Sequence, residues 1–292
     1  MSKIAAFPPE ALSVPAVRSR KPGGPKLVML TAYDFPSAKL GEEAGADILL
    51  VGDSLGMVIQ GQPDTLRVTL DQMVYHCSMV SRAARRALVV ADMPFLTYHT
   101  GLDDAVRHCG RCVQEGGVQA VKLEGGAKRA AVIRHLVQNE IPVMGHVGLT
   151  PQSIHALGGF KVQGRTLEAA RQLVADARAA EEAGAFCLVL ECIPAEVAAE
   201  ITATVSIPTI GIGAGPHCDG QVLVFHDLLG LYEDARLPRF VRRYGTFGTQ
   251  MREAIGRFRE DVVEGRFPSS GEAFHLPEET SRLFEEERRA HP

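Results

Sequence analysis

The chain has 292 residues, 46% of them hydrophobic and 23% charged, with a formal net charge of −4. That length holds one large domain or two small ones, and the composition is ordinary for a globular protein. A mild acidic excess without basic runs argues against nucleic acid as a partner, and no apolar stretch reaches the roughly 18 to 20 residues of a membrane span.

Residues 1 to 25 are rich in Pro, Lys and Arg and carry no period, which predicts a loose arm with one short helix. The first residues have no apolar core of a signal peptide, so the expected compartment is the cytoplasm. Regular structure starts at Lys26, with the buried run L-V-M-L-T-A-Y (27 to 33) followed by a helix that opens near Asp34 and ends at Gly45. A unit then repeats. E-A-G-A-D (43 to 47), E-G-G-V-Q (115 to 119) and E-A-G-A-F (182 to 186) each close a helix and lead into a strand, with glycine at the left-handed position past the helix end. Two further strands open at Ile141-Pro142 and Ile207-Pro208, proline being tolerated at a strand's first residue.

The predicted strands are 27 to 33, 48 to 53, 87 to 92, 120 to 124, 142 to 147, 187 to 192, 208 to 213 and 221 to 226, with helical patterns in most gaps. The clearest helix, 167 to 183, lines Leu167, Ala170, Leu173, Val174, Ala177 and Ala180 along one face. Eight strands joined by crossovers close most economically into a single (β/α)₈ TIM barrel, the α/β fold expected here. The seventh gap, G-A-G-P-H-C-D-G, is too short for a full helix. Beyond the barrel, 238 to 265 reads as additional helix with Met251, Ile255, Phe258 and Val262 as a stripe. The expected organisation is an arm over 1 to 25, the barrel with its C-terminal helices over 26 to 268, and an exposed tail over 269 to 292. Six cysteines include a C-x-x-C at Cys109 and Cys112, but it lies within a helical pattern and lacks a second pair. Structural thiols in a reducing compartment are expected.

Five successive strands end in polar or ionisable residues: Asp53 with Ser54, Asp92, Lys122 with Glu124, His146, and Glu191. A parallel barrel binds ligands at the carboxyl ends of its strands, so it would gather these side chains around one mouth. Lys122 and Glu124, two apart, share the inward face of their strand. Three converging carboxylates repel one another unless a cation sits among them. An all-oxygen set favours a hard ion, Mg²⁺, with Asp53, Asp92 and Glu124 as its candidate ligands. Glu191 follows four apolar residues, and desolvation raises a carboxyl pKa towards the range of a general base. The alternative is an ion pair with Lys122. Lys122 itself would offer a fixed positive charge to a substrate carboxylate or balance the acids. His146 could hydrogen-bond a substrate oxygen or be a satisfied core residue. G-I-G-A-G (211 to 215) has the form of an anion-binding turn, and G-G-F-K-V-Q-G-R (158 to 165) that of a lid over the mouth.

At these residues the sequence resembles the ketopantoate (3-methyl-2-oxobutanoate) hydroxymethyltransferase family. The match is carried by M-L-T-A-Y-D (29 to 34), L-V-G-D-S-L-G-M (50 to 57), A-D-M-P-F (91 to 95), V-K-L-E-G-G (121 to 126), G-H-V-G-L-T-P-Q-S (145 to 153), G-G-F-K-V-Q-G-R, L-V-L-E-C-I-P (188 to 194) and I-G-I-G-A-G (210 to 215). It runs in order from about Ser13 to Pro268. The resemblance implies a barrel of the phosphoenolpyruvate/pyruvate superfamily, Mg²⁺ dependence, and transfer of a hydroxymethyl group to 3-methyl-2-oxobutanoate from 5,10-methylenetetrahydrofolate as co-substrate. By motif position it puts the metal acids at Asp53, Asp92 and Glu124, keto-acid contacts at Asp53, Ser54, Asp92 and Lys122, and the proton acceptor at Glu191. It also implies a homo-oligomer, a decamer of two pentameric rings. Two other classes stay open: another Mg²⁺-dependent carbon-carbon lyase of the superfamily, and a non-catalytic metabolite-binding barrel.

Overall fold

The computed structural model describes residues 11–21, 23–232 and 237–291. Eight aliphatic runs form strands β1 (Leu27–Thr31), β2 (Ile48–Val51), β3 (Leu88–Asp92), β4 (Ala120–Glu124), β5 (Val143–Gly148), β6 (Cys187–Glu191), β7 (Thr209–Ile212) and β8 (Gly220–Leu223). They close in chain order into a parallel barrel, β8 pairing with β1. The fold is the single (β/α)₈ TIM barrel that the repeated unit predicted, with additional C-terminal helices.

Alternation along the strands builds the barrel interior. Leu27 and Met29, Ile48 and Leu50, Leu88 and Val90, Ala120, Met144, Cys187 and Val189, Ile210 and Val222 form one buried cluster. A fully buried aliphatic side chain of this size contributes roughly 1.5–3 kcal/mol. Val17, on the short helix Val14–Arg18, is fully buried in the same cluster. Ser13 caps that helix, its side chain accepting the Ala16 N–H at 3.3 Å. Lys21 continues the anchorage, donating to the carbonyls of Thr202 and Ile207 and lying 3.4 Å from Asp219 Oδ2.

The outer helices follow their sequence signals. Asp34 caps Phe35–Glu43 by accepting the Ser37 N–H at 2.8 Å. Gly45, Gly117 and Gly184 end three helices with φ of 91°, 73° and 103°, values that L-residues with a Cβ rarely adopt. Between β7 and β8 there is no helix. Gly213 and Gly215, in the expected anion-binding turn, lie against the Phe240 ring and Ala195, where a Cβ would collide, so close packing accounts for both. Cys109 and Cys112 are buried free thiols on the helix Leu102–Gln114.

Most strand ends differ from expectation by a residue or more; β8 is Gly220–Leu223 and stops short of 226 because the helix Phe225–Leu229 follows. β1 stops at Thr31 because Asp34 starts a helix, and β2 stops at Val51 because Gly52 and Asp53 turn into the short helix Leu55–Val58. The Ile-Pro strands begin one residue after the proline, yet Pro142 and Pro208 still accept bonds from Val121 and Leu188 through their carbonyls. Proline loses only its donor, so its acceptor remains in the ladder.

By contacts the chain groups into two compact units, the second formed by 229–232 and 244–291 among the described residues. It carries the helices Phe247–Val263 and Glu278–Ala290, and the stripe Met251, Ile255, Phe258 and Val262 is exposed. Among the described residues no helix is long and apolar enough to cross a membrane.

Candidate active site

The alternation that fills the barrel also sets its mouth. Asp92 lies two residues beyond Val90, Lys122 two beyond Ala120, His146 two beyond Met144 and Glu191 two beyond Val189, so each inward file ends in a polar side chain. Register brings them side by side, Asp92 opposite Lys122 and Glu124 opposite His146. Asp53 arrives from the turn after β2 and donates its N–H to Asp92 Oδ2 at 3.4 Å. Asp53, Asp92, Lys122, Glu124 and His146 are all at most 4% exposed.

Lys122 Nζ lies 2.7 Å from Asp92 Oδ1, a charge contact whose angle is poor for a hydrogen bond. Its ammonium also donates to His146 Nδ1 at 3.1 Å. Lysine has no acceptor, so Nδ1 must be the bare nitrogen and the ring proton sits on Nε2. That N–H faces Glu191 Oε2 at 3.3 Å, again off hydrogen-bond angle. Burial and the neighbouring Lys122 keep the imidazole neutral, with its pKa well below the ordinary value. The sequence left Glu191 between a free base and a partner of Lys122; the structure pairs Lys122 with Asp92 and puts His146 between the lysine and Glu191. Ser54 follows Asp53 in the turn after β2, its Oγ 2.9 Å from the Tyr33 hydroxyl.

Burial raises the carboxyl of Glu191 to about 8, Lys122 opposing and Asp92 adding to the shift. Its side chain stays 17% exposed, enough for a ligand to reach an otherwise dehydrated oxygen. Glu124 is raised to about 8, first by burial, with Lys122 opposing and Asp92 and Glu191 adding. Asp53 is pushed well above the carboxylate range by burial and by the charges of Asp92 and Glu124. Burial opposes the charge on Lys122, but Asp92, Glu124 and Asp53 more than reverse it and raise its pKa.

Three acids with one lysine thus make a buried cluster short of positive charge. Glu124 Oε1 is buried with no hydrogen-bond partner among the described residues. No three His, Cys, Asp or Glu side chains among the described residues gather tightly enough to hold an ion by themselves. This donor set fits Mg²⁺, which keeps several waters and takes one or two carboxylates with substrate oxygens.

Backbone contacts hold Glu191. Its carbonyl accepts the Leu149 N–H at 2.8 Å, the next amide, Cys192 N–H, donates to Ile212 O at 2.9 Å, and the Cys192 carbonyl accepts the Gln163 N–H at 2.9 Å. Gln163 belongs to the glycine-rich loop expected over the mouth. Cys192 itself adopts a φ of 47°. Gly148, at φ 103°, lies where a Cβ would run into the Glu191 carbonyl oxygen. Gly148→Ala is therefore expected to cost about 1–3 kcal/mol from backbone strain alone and to lower turnover by shifting Glu191. Urea denaturation and steady-state kinetics check both; unchanged turnover would show that the base tolerates the shift.

Three polar side chains of this site escaped the sequence reading: Gln152, Tyr98 and Tyr33. Gln152 is buried and bonds to both Asp53 and Glu124. All three are neutral, so no strand-end charge pointed to them. Gln152 does fall within G-H-V-G-L-T-P-Q-S.

The sequence model of the family described as ketopantoate hydroxymethyltransferase matches residues 11–270. The chain belongs to that family. It is 53% identical over 262 residues to the 3-methyl-2-oxobutanoate hydroxymethyltransferase of Clostridium botulinum, spanning 89% of this chain and 95% of that one. To the protein of the same name in Oleidesulfovibrio alaskensis it is 56% identical over 261 residues, spanning 89% and 90%. A solved structure of 2,3-dimethylmalate lyase, a PEP mutase/isocitrate lyase superfamily member, is similar in fold, with a TM-score of 0.55 at 19% identity over 97% of this chain and all of that one. Membership of the ketopantoate hydroxymethyltransferase family makes the chain a transferase, and the barrel mouth is where its chemistry is to be sought.

Proposed function

We propose that the chain transfers a hydroxymethyl group from 5,10-methylenetetrahydrofolate to 3-methyl-2-oxobutanoate, giving 2-dehydropantoate for pantothenate and coenzyme A synthesis. The observation that carries this reading is the mouth itself: a dehydrated Glu191 carboxyl across His146 from a lysine set among three acids. Asp53, Asp92 and Glu124, with waters and the keto acid's own oxygens completing the set, would hold Mg²⁺, which when bound withdraws electron density from those substrate oxygens.

Lys122 and Ser54 fix the substrate's carboxylate end. Glu191 takes the proton from C3, its raised pKa matching a base that works near neutral pH. His146, neutral with its proton on Nε2, separates Lys122 from Glu191 and adds no charge beside the base. The electron pair left at C3 forms a carbon-carbon bond to the folate-borne methylene, whose bonds to the folate nitrogens are lost while water supplies the hydroxyl. Burial of the acids, Lys122 and His146 limits water at the mouth, so protons reach and leave C3 through Glu191, whose partly exposed carboxyl exchanges with solvent.

The protein is taken to act in the cytoplasm as a homo-oligomer, a decamer by the family resemblance. The exposed apolar stripe Met251, Ile255, Phe258 and Val262 supports association.

The test is exchange of the C3 proton of 3-methyl-2-oxobutanoate with deuterated water, followed by NMR without folate. Exchange is expected with Mg²⁺ and loss of it with EDTA, restored by adding Mg²⁺ back. Equal exchange in both conditions would remove the cation from the reading, and none in either would remove the base.

A further inference from the structure

We propose that Gln152 is a positioning residue that decides which oxygen of Asp53 and which of Glu124 is offered to a bound cation. The inference rests on reading these acids as the cation site.

Gln152 sits in the short turn Pro151–Ser153 after β5 and is 6% exposed. Its side-chain Nε2 donates to Asp53 Oδ2 and to the Met93 carbonyl, each at 2.9 Å. Its main-chain N–H donates to Glu124 Oε2 at 3.0 Å. Its Oε1 accepts from the Tyr98 hydroxyl at 2.7 Å, and that hydroxyl accepts the Glu124 N–H at 3.2 Å.

The roles in this chain are not interchangeable. A backbone N–H can only donate and a backbone carbonyl can only accept, so Glu124 N–H at one end and Met93 O at the other fix the direction of every bond between them. The Tyr98 proton must go to Gln152 Oε1, and both Nε2 protons must go to Asp53 and Met93. The amide therefore cannot flip. One oxygen of Asp53 and one of Glu124 are committed to Gln152, which leaves Asp53 Oδ1 and Glu124 Oε1 for a ligand. Glu124 Oε1 is the buried oxygen without a hydrogen-bond partner among the described residues. A neutral amide is suited to the task, since it orients Asp53 while the main-chain N–H of the same residue holds Glu124, and neither alters the charge of the cluster.

Groups that orient metal-binding side chains typically change metal affinity by about 10- to 100-fold when removed. The probe is Mn²⁺, titrated by electron paramagnetic resonance into chelator-stripped full-length protein, for the wild type, Gln152→Met and Tyr98→Phe. Gln152→Met is expected to bind Mn²⁺ about 10- to 100-fold more weakly. Tyr98→Phe, which leaves the amide free to rotate, should shift affinity the same way by a smaller factor. A purely structural role would lower the melting temperature while the folded protein kept its Mn²⁺ affinity, and that result overturns the proposal. Should Gln152→Met not fold, unchanged affinity in Tyr98→Phe overturns it equally. If the wild type binds no Mn²⁺, the cation reading itself fails and this inference with it; if only the variants match the wild type, this inference fails alone.

Discussion

Glu191→Gln is expected to reduce turnover by at least about 10²- to 10⁴-fold, the usual contribution of a positioned general base, while the keto acid still binds. Glutamine keeps the shape and the contact with His146 but cannot take a proton. The same variant should abolish C3 exchange, because that half-reaction needs the base and not the folate. In the wild type, kcat/KM for exchange reports the free enzyme, whose Glu191 carboxyl is raised to about 8 by burial. The base must be ionised to act, so the rate should climb as pH rises through that value and then level. A rate that falls between pH 6 and 9, or a glutamine variant that exchanges normally, would assign the proton transfer to another group.

Lys122→Met should be the most damaging change to the cluster. The lysine is 2% exposed and lies against Asp92 and His146, and removing one partner of a buried ion pair typically costs about 3–5 kcal/mol. The loss should depend on pH in a definite sense. Asp53 and Glu124 already hold protons at pH values where unfolded carboxyls have shed them. Stability therefore falls as pH rises from the ordinary carboxylate range towards 8, since the folded state binds the extra protons there. Without Lys122 the acids bind protons more tightly still, and the slope steepens. Urea denaturation in EDTA should show a larger deficit at pH 8 than at pH 6. Equal deficits at the two values would mean that the lysine does not balance these acids. The keto acid should also bind about tenfold or more weakly, because hydrogen bonds to charged groups are worth roughly 1.5–3 kcal/mol.

Much of the architecture was legible because one pattern serves two ends. Runs such as Ala120-Val121-Lys122-Leu123-Glu124 announce a strand by their apolar residues and a mouth by their polar ones, and alternation ties the two together. Helix ends were equally readable where glycine adopts a positive φ, as at Gly184. Asp53 was assigned to the end of a strand, but it lies in a turn two residues beyond β2. Its place among the acids comes from the bonds to Asp92 and Gln152, which are long-range and leave no local trace in sequence. Tyr98 and Gln152 are 54 positions apart and joined by a hydrogen bond. A neutral side chain after Pro151 looks like any polar turn residue until the barrel closes over it. The position of His146 between Lys122 and Glu191 likewise depended on the stagger of β4, β5 and β6.

The moorings of Glu191 leave their own mark on how this protein can vary. Leu149 and Gln163 lend their amide hydrogens to the fastening and Cys192 both its amide hydrogen and its carbonyl, and every amino acid except proline carries that donor. A randomised library at position 163 should therefore tolerate wide chemical diversity with proline strongly depleted, whereas the burial of Leu149 and the positive φ of Cys192 narrow the choice at those two sites and position 148 should admit little besides glycine. Selectivity for a different acceptor can then be engineered around the base without dislodging it.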